Sequence, residues 1–161
     1  MKTAIKNLFV FALLISSIFW MNCNGDNNPI LDLNDLTTLA GNYELISITD
    51  KTGSLFEAGF TTKAGEATQI VIEGVTVTVT ITGTLVLTET RYTFSLTVSI
   101  ATAGLPPQTD TETSSGTYTI SGSTLTTVED DTGETDTATL SVSGSQLTID
   151  DDEITLVFEK Q

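Results

Sequence analysis

From residue 41 onward, apolar and polar residues alternate one by one in run after run. In "VTVTVTIT" (75–82), Val75, Val77, Val79 and Ile81 share one face and four threonines share the other. In "YTFSLTVSI" (92–100), Tyr92, Phe94, Leu96, Val98 and Ile100 share a face opposite serine and threonine. A period of two is the strand period, and one apolar face beside one wet face predicts antiparallel sheet. Strands are predicted at 42–50, 68–73, 75–82, 84–90, 91–101, 116–121, 124–129, 136–143, 146–150 and 153–159. Some of these are expected to merge across Gly74 or Gly83 as bulged or bent strands.

The final third repeats weakly. "YTISGSTLTT" and "LSVSGSQLTI" align with an offset of 22 residues, and each breaks at Ser-Gly-Ser. Gly122 and Gly144 supply the positive φ that a tight hairpin needs. Acidic turns are predicted at 128–136, around Gly133, and at 149–154. Two segments interrupt the meander. Residues 51–67 carry Phe56 and Phe60, and residues 102–116 carry Pro106 and Pro107, which a central strand does not accept. Before the first strand, Asn34 or Asp35 caps a helical turn that presents Leu36 and Leu39. Eight to ten short strands in neighbour order predict an all-β antiparallel up-and-down barrel of about eight strands, which leaves no open edge, with a sandwich as the alternative.

The start of the chain is patterned differently. Lys2 and Lys6 precede an apolar run of 14 residues, Leu8 to Met21, broken by Ser16 and Ser17. That is a secretory leader, short of the roughly 20 residues a spanning helix needs. The one cysteine, Cys23, follows at once, and "NGDNNPILDLNDL" after it is polar. The arrangement resembles a bacterial lipoprotein precursor, in which the cysteine after the apolar run is lipidated and becomes the first mature residue. The usual lipobox has Leu and two small residues before that cysteine; here Trp20, Met21 and Asn22 occupy those places. The expected division is therefore a signal peptide at 1–22, a lipidated Cys23 and flexible tether at 23–38, and the barrel domain at 39–161. Several acyl chains, at about 0.8 kcal/mol per buried CH₂, hold a domain firmly to a membrane. The expected location is the cell envelope, lipid-anchored at the outer membrane.

Charge narrows the partners. The chain holds 21 Asp and Glu against 6 Lys and Arg. Without the leader, four basic residues face 21 acidic ones, a net of −17. Such a surface repels nucleic-acid phosphates and anionic headgroups, so nucleic acid is excluded as a charge-driven partner. Threonine, which suits a pleated half-wet surface, occurs 32 times. There is no histidine, and one cysteine makes no internal disulfide.

Gly41-Asn42-Tyr43 at the first strand, "SGTYTISGSTLTT" and the closing "ITLVFEK" resemble the bacterial lipocalin-like domain over residues 39 to 160. Gly41 matches that family's Gly-x-Trp opening, and Tyr43 stands where it has tryptophan. The resemblance implies an eight-stranded barrel, a role in binding a small lipophilic ligand and no catalytic residues. It also implies that the connection after the first strand guards the barrel mouth.

The candidate ligand-binding residues are Phe56, Phe60, Val77, Val79, Tyr92, Phe94 and Leu96. They either line a cavity or fill the core, and Phe56 and Phe60 either form a lid or plug one end. The acidic groups Glu129, Asp130, Asp131, Glu134 and Asp136, and Asp150, Asp151, Asp152 and Glu153, are the calcium candidates. That ion takes about six to eight oxygens. They lack EF-hand spacing, and hairpin acids of this kind are ordinarily solvated. Without histidine or a second thiol, general-base and thiol chemistry lack their usual groups. Glu44, Glu73 and Glu89 do not pair on an inward face. The expectation is a non-enzyme with no cofactor and no metal. It carries a lipid anchor, takes a small apolar ligand and has no identified protein partner. The alternative is a structural or protein-interaction module with a filled core.

Overall fold

The computed structural model describes residues 31–72 and 74–161. The leader, Cys23 and Glu73 lie outside the described residues. The helical turn α1 (Leu36–Leu39) is capped by Asp35, whose carboxylate accepts the Thr37 N–H. Ten strands follow: β1 (Gly41–Asp50), β2 (Phe60–Lys63), β3 (Thr68–Ile72), β4 (Val75–Leu87), β5 (Arg91–Thr102), β6 (Gln108–Ser121), β7 (Thr124–Glu129), β8 (Thr135–Ser143), β9 (Gln146–Asp150) and β10 (Ile154–Lys160).

From β4 to β10 each strand pairs antiparallel with the next, and β10 pairs with β1. The start of β1 then pairs with the end of β4, Gly41 opposite Leu87, and closes eight strands into an up-and-down barrel. That pairing excludes the sandwich. Towards its other end β1 diverges from β4. There β2 pairs with β1 and β3 pairs with β4, so the two short strands occupy the wedge. The Ala64 N–H donates to Ile46 O and the Gly65 N–H to Ile81 O, tying the wedge to both sides.

One barrel end carries the β4–β5, β6–β7 and β8–β9 hairpins. Residues 31–40, most of them expected in the tether, pack across it. Leu31 and Leu39 are buried there, the Leu31 N–H donates to Gly144 O, and the Lys160 ammonium donates to Thr38 O. We call this the capped end. The opposite, open end carries the 51–59 loop and the β3–β4, β5–β6, β7–β8 and β9–β10 turns.

Gly122 and Gly144 do turn two hairpins at φ near +60°, at 62° and 61°. Gly83 is traversed by one continuous strand, whereas Gly74, at φ 82°, belongs to the β3–β4 turn. Two expectations are corrected. Residues 108–115, set aside with the prolines, are the first half of β6, hydrogen-bonded to β5 from Gln108 opposite Ile100 onward. The prolines break pairing only where they stand, in the turn. Phe60–Lys63, within the interrupting 51–67 segment, is the strand β2.

The core is the barrel lumen. Tyr43, Ile48, Ile81, Leu140, Leu147 and Phe158 are buried almost completely, and Phe94 meets Phe158 edge-on at 6.1 Å between ring centres.

Candidate functional site

Alternation decides which side chains enter the lumen. On β5 these are Tyr92, Phe94 and Leu96; on β7, Leu125 and Thr127; on β10, Ile154, Leu156 and Phe158. Between them lies an apolar cavity of about 80 Å³, whose wall also includes Leu85, Leu87, Tyr118, Leu140 and Leu147. A typical small-molecule pocket holds roughly 300–1,000 Å³, so the space suits one short group.

Tyr92, Phe94 and Leu96, named from the sequence, come together on this wall. Val77 and Val79 are buried, but on the first half of β4, opposite β3, away from the cavity. Phe56 and Phe60 meet with tilted rings, 4.8 Å between centres, outside the cavity wall, at the open end. Their loop is held by Asp50. This carboxylate is fully buried and accepts four backbone N–H groups, those of Gly53 at 2.7 Å, Ser54 at 3.1 Å, Leu55 at 2.8 Å and Phe56 at 2.8 Å. The loop is therefore wrapped around the Asp50 carboxylate oxygens.

Polar groups converge on the open-end side of the cavity. The Tyr92 hydroxyl meets Ser114 Oγ at 3.2 Å, and Ser114 donates to Glu129 Oε1 at 2.9 Å. Burial pushes the Tyr92 hydroxyl above its ordinary pKa, and the carboxylates of Glu129, Asp136 and Asp130 push the same way. Asp136 and Asp151 form part of the cavity wall. Both are raised from the ordinary aspartate range, first by burial. For Asp151, the N–H groups of Ile154 and Glu153 and the nearby Lys51 pull the other way.

The acidic clusters named as calcium candidates do not converge. Asp130 pairs with Arg91 on the outside, Asp150 pairs with Lys51, and Asp151 accepts the Glu153 and Ile154 N–H groups. Among the described residues, no group of three or more acidic, histidine or cysteine side chains is arranged to hold a metal ion.

Most of the wall lies beyond the residues expected from the sequence: Tyr118, Leu125, Leu140, Leu147, Leu156 and Phe158. Their signal was the same alternation, carried by the shorter C-terminal strands. In the sequence, Asp136 and Asp151 read as solvated turn acids.

No family model matches the chain, and no curated protein matches it. Among solved structures, a lipocalin-like protein from Bacteroides uniformis superposes with a TM-score of 0.42 at 13% identity, covering 76% of this chain and 98% of that one.

Proposed function

We propose that this is a non-catalytic binding barrel of the cell envelope. It takes a small apolar molecule or group into its lumen while lipid on Cys23 holds it to the outer membrane. The observation that carries the binding role is the apolar cavity walled by Tyr92, Phe94, Leu96 and their neighbours, closed by strand pairing all round. The anchor rests on the leader and the position of Cys23.

The protein is purified from its own cells and weighed under native mass spectrometry. An added mass that leaves on denaturation and extracts into organic solvent is the expected result. A bare polypeptide that takes up no fluorescent fatty-acid probe ends the binding role. For the anchor, Cys23→Ala is expected to accumulate as unprocessed precursor; normal processing and membrane retention of that variant ends it. The second reading, an interaction module with a filled core, is favoured by the small size of the cavity, about 80 Å³. A bare mass supports it.

A further inference from the structure

The lumen is filled on one side and hollow on the other, and two rings stand between. Phe94 on β5 meets Phe158 on β10 edge-on, with 6.1 Å between ring centres and 86° between planes. In the closed ring β5 and β10 are not neighbours. Two strands, β1 and β4, lie between them on one side, and four, β6 to β9, on the other. The pair is therefore a chord across the barrel.

On the β1 side the space is taken. Tyr43, Leu45 and Ile48 of β1 and Val79 and Ile81 of β4 are buried, and none of them reaches the cavity. Packing there is tight: a Cβ at Gly83 would stand 3.3 Å from Leu96 Cδ1 and 3.4 Å from Leu45 Cβ. On the other side lies the cavity of about 80 Å³. Its wall includes both rings with Tyr118, Leu125, Leu140 and Leu147, and β1 adds nothing to it. Thr127, Asp136, Thr137 and Asp151 make the open-end side of the wall the polar one. An interior packed to crystal density does not yield to a ligand, so the cavity ends where the rings stand.

Building on the barrel-binding role, we propose that Phe94 and Phe158 set the length of the chain that the lumen accepts. A dry cavity of about 150 Å³ accepts benzene, so 80 Å³ holds about three or four carbons. The ligand class is a molecule that presents a short terminal hydrocarbon. That end lies against the two rings, and the rest of the molecule stays at the polar, open-end side. A longer chain gains nothing from its further carbons, because they remain in water.

The test is a titration of the full chain, carbon-13-labelled at its methyl groups, with the n-alcohols from methanol to hexanol. Methyl chemical shifts are expected to move at Leu125, Leu140 and Leu156, which stand in the wall. Affinity is expected to rise about fourfold per methylene and to level off near the fourth carbon. Phe94→Leu and Phe158→Leu each cut back a ring that bounds the cavity. Each is expected to move the plateau about one carbon further, because neighbours only partly refill the space a truncated core side chain leaves. Ile48→Val, a truncation on the filled side, is expected to leave the plateau in place.

If affinity climbs unbroken to hexanol in the parent, or levels off at the same carbon in both phenylalanine variants, the rings do not gauge the chain and the barrel-binding role stands. A plateau that moves equally with Ile48→Val reflects general loosening and also overturns the gauge. If the wall methyls stay still with every alcohol, the binding role falls with the proposal. Shifts confined to the exposed Val71 and Leu105 are adsorption to the surface and overturn both. Where one phenylalanine variant does not fold, the other variant and the parent's plateau decide.

Discussion

Asp50 shows how one side chain organises a barrel end. It is fully buried, and its carboxylate accepts four N–H groups from the loop that follows it. Removing the acceptor orphans donors that have no other partner, and each buried unsatisfied group costs about 1–3 kcal/mol. Asp50→Ala is therefore expected to destabilise the fold by about 3 kcal/mol or more. Asp50→Asn, which keeps one acceptor oxygen, is expected to cost less. Urea unfolding of the three proteins checks this; an alanine variant within about 0.5 kcal/mol of the parent refutes it. Nothing in "ISITDKTGS" marks Asp50 as buried. Strict alternation from Tyr43 places Ser47 and Thr49 on the inner face and Asp50 on the outer one. A bulge between Leu45 and Ser47 shifts the register by one, so that Ile48 and Asp50 point inward.

Strands and turns account for the other differences between pattern and structure. Alternation located the strands of the meander well, because one face of each is buried and a one-residue slip would expose it. It was silent for Gln108–Thr113, where most residues on both faces are exposed and polar. Pairing with β5 alone makes that stretch a strand. Gly116 is a second place where a neighbour decides. A Cβ there would stand 2.0 Å from Val128 O and 2.9 Å from Tyr92 Cε1. The carbonyl belongs to β7, which pairs with β6 at this point, so it cannot retreat without breaking the ladder. Gly116→Ala is expected to cost about 3 kcal/mol, the upper end of ordinary overpacking. The same change at Gly144, where a Cβ meets nothing within 4 Å, bears only the strain of its positive φ, about 1–2 kcal/mol. Thermal melts of the two variants rank the effects, and a Gly116→Ala melt above that of Gly144→Ala contradicts the argument.

The barrel as a unit titrates through its lumen. Burial pushes the Tyr43 hydroxyl up to about 12, and Tyr92 and Tyr118 are raised in the same direction. A group whose pKa is raised on folding stabilises fully below its unfolded value and loses that contribution as pH rises through the folded one. Stability is thus expected to fall between about pH 10 and 12. Tyr43→Phe is expected to flatten that slope. At neutral pH it loses about 1 kcal/mol with the 2.6 Å bond to Leu39 O. Parallel slopes for parent and variant would refute the assignment. The lumenal acids follow the same sign. Asp136 and Asp151 hold their protons more tightly when folded, so their contribution declines as pH rises above the ordinary aspartate range. Asp136→Asn is expected to melt higher than the parent at neutral pH and to lose that advantage in acid.

What this sequence determined alone is local and periodic. Period-two alternation marked most strands, Ser-Gly-Ser marked two hairpins, and strand order in the chain predicted an up-and-down barrel. Each of these is set within a few neighbouring residues. Which strands close the ring, where β1 bulges, that residues 108–115 pair, and which alternating faces surround the cavity depend on distant partners, more than a hundred residues away where β1 meets β10. The same holds for the acids. In the chain Asp136 and Asp151 read as turn charges destined for water. Only closure of the barrel turns them inward beside hydrocarbon, where desolvation and mutual repulsion give them a chemistry their neighbours in sequence do not share.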